Sequence, residues 1–274
     1  RYTSCTRIAS TVAEIDLEDF LANLRYLGDW DHDEVEWDKP LAHLVTTNAA
    51  DQLELKNQLS GVTSKPIAWN PGIEWTAPLT DFQLRDIGRL LSLSHGANFS
   101  VPGAGKTRVA LAVYHARKSI GQVRRLLIVA PKSAYGAWQD ENLQCFANRP
   151  LEMRVIGDHV GPGEVLLLNY ERLPQLANDL AGWLRQEATM MIVDEGHRMK
   201  RGNAGVHGRT VLSLAPLAQH RLILTGTPAP NGVVDLQNVM SFPWPGSGRG
   251  QVQRATSSGD LRAASRLLKP LFAR

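Results

Sequence analysis

The stretch Ser100-Val-Pro-Gly-Ala-Gly-Lys-Thr107 carries the first recognisable chemistry in the chain. Its order is that of the phosphate-binding pattern G-x-x-x-x-G-K-[ST], with Ser100 in place of the first glycine. Gly103 and Gly105 let the backbone turn so that successive N–H groups along Pro102, Gly103, Ala104 and Gly105 face an anion. The helical segment that follows from Arg108 adds its positive end. Lys106 would neutralise the β- and γ-phosphates of ATP, and the Thr107 hydroxyl would ligate magnesium. Arg108 is placed beside the nucleotide by adjacency. Further on, Asp194-Glu195-Gly196-His197 follows an apolar run. An Asp at the end of a buried strand beside such a loop can hold magnesium through water, and Glu195 can orient or deprotonate the attacking water. His197 taken alone would read as a packing or surface residue.

These groups need a scaffold that brings them together. The apolar runs Ala97–Ser100, Leu126–Ala130, Val165–Leu168, Met190–Val193 and Arg221–Thr225 are each four or five residues long and alternate with helical segments. Runs apolar on successive positions suit strands buried on both faces, which belong to a parallel sheet covered by helices. In such sheets ligands gather at the carboxyl ends of the strands. The expected fold class is therefore α/β, with a mainly parallel sheet flanked by helices and a small N-terminal segment. Leu17, Phe20, Leu21, Leu24 and Leu27 predict an amphipathic helix that Asp16 could cap. Lys65–Gly72 reads as a linker, and we place the boundary between the two parts at 78/79.

The 274 residues are 43% hydrophobic and 21% charged, a globular composition without collagen-like or low-complexity character. No run approaches the ~18–20 apolar residues of a membrane span. The N-terminus lacks a signal-peptide core, so cytoplasm is the expected compartment, or the nucleus in a eukaryote. Cys5 and Cys145 fit neither a disulfide framework nor a zinc spacing. The net charge of +3 divides unevenly: residues 1–78 sum to −7 and residues 79–274 to +10. A basic body suits a polyanion, and the acidic front, with Trp30 and Trp37 among its acids, suits either a protein partner or plain solvation.

Read in order, the motifs resemble the first RecA-like lobe of a superfamily-two helicase, and specifically the Swi/Snf family of double-stranded DNA translocases. They are Phe82-Gln83, Gly103–Thr107, Pro131-Lys-Ser133 with Trp138 and Glu141, Asn169-Tyr-Glu171, Asp194–His197 and Leu224-Thr-Gly-Thr-Pro228 with Asn231. The resemblance covers residues 79 to about 242 and resumes at Leu267–Arg274. It implies a RecA-like lobe that hydrolyses Mg-ATP against a second lobe carrying an arginine finger, while gripping duplex DNA. It also implies that Gln83 reads adenine, although Thr80-x-x-Gln83 is equally a capping box. Lys132, Ser133 and Asn169 would meet the DNA backbone. Thr225, Gly226 and Thr227 would couple the γ-phosphate state to the DNA groove, with His197 joining the catalytic set. Trp138 reads better as core, and Tyr170 as core or contact. A strand-separating DNA or RNA helicase lobe is the alternative, as is a nucleotide-gated assembly module with little turnover.

Overall fold

The computed structural model describes residues 6–7, 13–15, 17–23, 38–62 and 64–274. An antiparallel pair, β1 (Thr6–Arg7) and β2 (Ala13–Glu14), precedes helices α1 (Leu17–Ala22), α2 (Lys39–Leu59) and α3 (Asp81–Leu91). Strands and helices then alternate as β3 (His95–Asn98), α4 (Lys106–Ser119), β4 (Arg125–Val129), α5 (Tyr135–Cys145), β5 (Met153–Val155), β6 (Val165–Leu168), α6 (Leu173–Gln186), β7 (Thr189–Asp194), α7 (Val206–Leu214) and β8 (His220–Leu224). The chain continues through α8 (Val233–Met240), α9 (Ser247–Ala255), α10 (Leu261–Leu268) and β9 (Phe272–Ala273).

Seven of the strands form one parallel sheet in the order β5-β6-β4-β7-β8-β3-β9. Successive side chains of a strand point to opposite faces. Leu127, Val129, Met191, Val193 and Ile223 therefore enter one core with α6, α7 and α8. Leu126, Ile128, Met190, Ile192 and Leu222 enter the other with α3, α4 and α5. Burial on both faces is why these runs read as continuously apolar. The fold is thus the expected α/β lobe with a parallel sheet flanked by helices.

Several expectations are revised. The first strand lies at His95–Asn98, two residues before the apolar run, because Phe99 and Ser100 already belong to the turn into the phosphate loop. Two edge strands, β5 and β9, were not anticipated; β9 pairs with only Ala97 and Asn98, too short to show a period. Residues 242–267 fold as α9 and α10. The stretch 65–72 is laid onto the body: the Ile67 N–H donates to the Gly88 carbonyl at 2.9 Å, and Trp69 packs against the core. Cys5, Asp16, Leu24, Leu27, Trp30 and Trp37 lie outside the described residues.

Helix α2 lies before the boundary placed at 78/79 but packs onto the body that follows it. Leu55 enters the same core as β4 and β7, and Asp51 reaches the buried end of β8. There the Arg221 guanidinium donates to Asp51 at 2.6 Å, to the Pro243 carbonyl at 2.9 Å, and to the carbonyls of Ala215 and Ala218. The His95 ring accepts the Arg221 backbone N–H at Nδ1. Its Nε2 lies 2.8 Å from Asp51 and 2.5 Å from the Arg221 guanidinium. Burial and the Arg221 charge push His95 down to about 4, so it is a neutral hydrogen-bond partner rather than half of an ion pair. Burial opposes ionisation of Asp51, yet His95 and Arg221 together hold its carboxyl well below the usual range. His220, beside Arg117, is pushed down to about 3 by burial.

Both histidines bind protons less readily folded than unfolded, so acidification favours the unfolded chain. Stability should fall from about pH 6.5 towards about pH 4 as the unfolded histidines charge, and Asp51 adds to the loss below about pH 4. A urea midpoint that is flat across this window would contradict the assignment.

Candidate active site

The loop between β3 and α4 turns through two left-handed glycines, Gly103 at φ 82° and Gly105 at φ 76°. Gly105 is doubly constrained, because a Cβ there would lie 2.4 Å from the Gln83 Nε2. Pro102, Gly103, Ala104 and Gly105 form the bend, and Lys106 and Thr107 open α4. The Lys106 ammonium donates to the Ser100 carbonyl at 3.0 Å and the Val101 carbonyl at 3.2 Å, lying across the loop it would serve. Beneath the loop the Ser100 hydroxyl donates to Asp86 at 3.1 Å.

Gln83 makes the capping box: its Oε1 accepts the Thr80 N–H at 3.0 Å, and its own N–H donates to the Thr80 hydroxyl. Its Nε2 reaches the Ala104 carbonyl at 3.3 Å, so one side chain fixes both the start of α3 and the phosphate loop. Arg108 requires a correction. Its guanidinium faces α5, with donors to both Glu141 oxygens at 2.8 and 3.3 Å and to Gln144 and the Pro78 carbonyl. A bidentate carboxylate fork is the geometry a guanidinium prefers, and it outcompetes the position beside the nucleotide that adjacency suggested.

The acidic pair stands at the end of β7. Asp194 is 8% exposed, and burial raises its carboxyl above the usual range, against the hydrogen bond from Trp138. Both oxygens are held: Oδ2 accepts the Trp138 indole N–H at 2.9 Å, and Oδ1 the Glu195 N–H at 2.9 Å. The Tyr170 hydroxyl donates to the Asp194 carbonyl at 2.6 Å. Trp138 is fully buried, as its sequence reading expected, but its polar edge is spent on the acidic pair. Buried indoles and phenols usually find such a partner, which is the one signal that could have flagged both residues.

Glu195 adopts φ 51°, the single positive φ of a non-glycine among the described residues. This conformation turns its carboxylate towards His197, whose Nδ1 is 3.2 Å from Glu195 Oε2 and 3.4 Å from the Thr225 hydroxyl. Thr225 is fully buried and accepts the Thr227 N–H at 3.1 Å. A Cβ on Gly226 would stand 3.0 Å from Pro102 of the phosphate loop. Thr225, Gly226 and Thr227 thus touch the acidic box on one side and the phosphate loop on the other.

Gly196 is required by packing. A Cβ there would lie 2.4 and 2.5 Å from Cγ1 and Cδ1 of the buried Ile223. Gly196→Ala should destabilise by about 1–3 kcal/mol, the usual cost of overpacking. Adding Ile223→Ala should make the double variant more stable than the sum of the two changes allows. Additive denaturation midpoints would refute the clash.

Of the three expected DNA contacts, Lys132 and Ser133 are exposed in the turn Lys132–Ala134 before α5. Asn169 is not. It is 2% exposed, and its Oδ1 accepts the Arg172 N–H at 3.3 Å as the cap of the turn Tyr170–Arg172. Asn is a preferred capping residue, and that role buries it. The neighbouring Arg198 instead occupies the surface, over the Tyr170 ring at 5.8 Å and 3.5 Å from Glu171.

The donor set suits magnesium. Among the described residues no three His, Cys, Asp or Glu side chains cluster as a metal cage. Magnesium uses one or two protein oxygens and completes its shell with water and phosphate. Asp194 and the Thr107 hydroxyl are such oxygens, and Lys106 is near enough for its charge to act on Asp194. No described helix is long and apolar enough to cross a membrane.

The SNF2-related domain model matches residues 99–249. The TATA-binding protein-associated factor MOT1 of Saccharomyces cerevisiae is 26% identical over 196 residues, 64% of this chain and 10% of that protein. Nuclear protein STH1/NPS1 of the same yeast is 28% identical over 193 residues, 64% of this chain and 14% of that protein. Putative protein p41 of the Acyrthosiphon pisum secondary endosymbiont phage 1 is 30% identical over 187 residues, 63% of this chain and 40% of that protein. The chain thus spans about a tenth of the first of these relatives. The Sulfolobus solfataricus SWI2/SNF2 ATPase core in complex with dsDNA shares the fold at a TM-score of 0.60 and 20% identity, over 74% of this chain and 45% of that one.

Proposed function

Because the chain belongs to the SNF2-related domain family, we propose that it is the ATP-binding lobe of a Swi/Snf-type motor that hydrolyses Mg-ATP to move along double-stranded DNA. The observation that carries this reading is the chain of contacts from Glu195 through His197 to Thr225. It joins the water-activating position to the turn packed against Pro102. In this reading the loop 102–107 holds the phosphates, and Asp194 and Thr107 hold magnesium. The metal, when bound, supplies charge stabilisation at the transferring phosphoryl group. Glu195 takes the proton of the attacking water, and His197 and Thr225 sense whether the γ-phosphate is present. Gln83 offers its remaining amide capacity to adenine.

Lys132 and Ser133 meet the phosphate backbone, which carries no sequence information. A second RecA-like lobe closes on the site with an arginine finger, a group worth ~10³–10⁵ in rate. Residues 79–274 are the lobe proper, and 1–78 an acidic leader that braces the sheet through α2 and takes a protein partner through its acidic surface. The motor works in the nucleus if the source is eukaryotic and in the bacterial cytoplasm otherwise.

The test is ATP turnover by the full-length protein with duplex DNA, single-stranded DNA and RNA. Preferential stimulation by duplex supports translocation. Preference for single strands or RNA would favour a strand-separating or RNA-dependent enzyme, and no stimulation would favour an assembly module. Lys106→Ala should weaken ATP binding at least about tenfold, given ~1.5–3 kcal/mol for hydrogen bonds to charged groups. An unchanged dissociation constant would remove the phosphate loop from the reading.

A further inference from the structure

Trp138 stands apart from the residues expected to touch ligand. It lies on α5, one turn beyond the exposed Lys132–Ala134 turn, and is fully buried. Yet its indole N–H reaches 56 residues along the chain to Asp194 Oδ2 at 2.9 Å. Asp194 Oδ1 is occupied by the Glu195 N–H, a bond between neighbours that turns with the Asp194–Glu195 peptide. The Tyr170 hydroxyl holds the Asp194 backbone carbonyl and leaves the carboxylate alone. Among the contacts of this carboxylate, the indole is thus the one that ties it to another element.

We propose that Trp138 is a positioning residue, whose indole N–H fixes the Asp194 carboxylate in the rotamer that receives the metal. The inference rests on the reading of Asp194 as a magnesium-holding group. The physical ground is the role of outer-shell partners. A hydrogen bond to a metal-holding carboxylate sets which lone pairs face the ion, and loss of such a bond typically costs 10–100-fold in metal affinity. Indole is suited to this position because it donates once and cannot accept, so it cannot compete with the carboxylate for the metal. The placement also has a mechanical consequence. α5 begins at the turn that carries Lys132 and Ser133, so any shift of that turn is delivered to Asp194 through one rigid ring.

The test is a manganese titration followed by electron paramagnetic resonance in the presence of a non-hydrolysable ATP analogue, using the full-length protein. Trp138→Phe keeps an aromatic ring and deletes the donor. It should weaken manganese binding about 10–100-fold while leaving binding of the analogue without metal unchanged. Manganese affinity equal to wild type would overturn the proposal. Failure of the wild-type protein to bind manganese with the analogue would instead refute the reading of Asp194 on which it rests. Should Trp138→Phe not fold, the indole N–H resonances of the wild-type protein supply the second measurement. One of them should be protected from exchange and shift on adding metal with the analogue, and it should lose that response in Asp194→Asn. A set of indole signals indifferent to metal in the wild type would equally overturn the proposal.

Discussion

Replacing Glu195 with Gln should lower ATP turnover by about 10²–10⁴-fold, the range for losing a positioned general base, while leaving Mg-ATP binding intact. The amide keeps the shape of the side chain beside His197 and removes its charge and its proton-accepting capacity. The effect should be this large because Glu195 is held in place by its surroundings. Its left-handed backbone is fixed by the hydrogen bond its N–H makes to Asp194. Gly196 behind it packs where only a glycine fits against Ile223. A flexible acid could be replaced by a bulk base or water, and one pinned in this way has no substitute nearby. The measurement is steady-state turnover of the full-length protein with duplex DNA, together with nucleotide binding. Turnover close to wild type would take Glu195 out of the chemistry.

Asp51→Ala should cost about 3–5 kcal/mol of stability, the penalty for leaving one member of a buried ion pair unpartnered. The Arg221 side chain is 2% exposed, and its remaining partners are the His95 ring and the carbonyls of Ala215, Ala218 and Pro243. None of these neutralises its charge, and His95 is held neutral by burial. Asp51→Asn, which keeps an acceptor, should lose less. Deleting residues 1–78 removes Asp51 together with Leu55 and the rest of α2. It should therefore destabilise the basic body rather than simply unmask it for DNA. Denaturant midpoints of the two point variants and of the truncated chain check this. A truncated chain that unfolds at the same midpoint as the full one would refute the role of α2 as a brace.

The motifs were legible because each is local. In Gly103–Thr107 and Asp194–His197 the residues of each motif are neighbours, so spacing alone reveals the pattern. The strands were legible because burial on both faces leaves uninterrupted apolar runs. α2 escaped notice because the face it buries is partly polar: Asn48 and Gln58 are buried with Leu55, and Asp51 does the anchoring. Asn169 and Arg108 were misplaced for a related reason. Each sits beside a motif, and adjacency to a motif does not say which way a side chain turns. A cap claimed the first and a carboxylate on α5 the second.

By itself the sequence determined the α/β class, the Gly103–Thr107 and Asp194–His197 motifs and the order of motifs that places the chain in its family. Those features depend on interactions within a few residues or on the period of apolar positions. Only the tertiary structure decided which distant groups meet: Trp138 with Asp194, Gly226 with Pro102, and Asp51 with Arg221 across 170 residues. Partners so far apart are chosen by the register and order of the parallel strands. β7 lies between β4 and β8, so the turn after β4, the acidic pair after β7 and the threonines after β8 reach one edge of the sheet. Residue spacing carries no trace of that order. It emerges when each strand finds neighbours that cover both its faces.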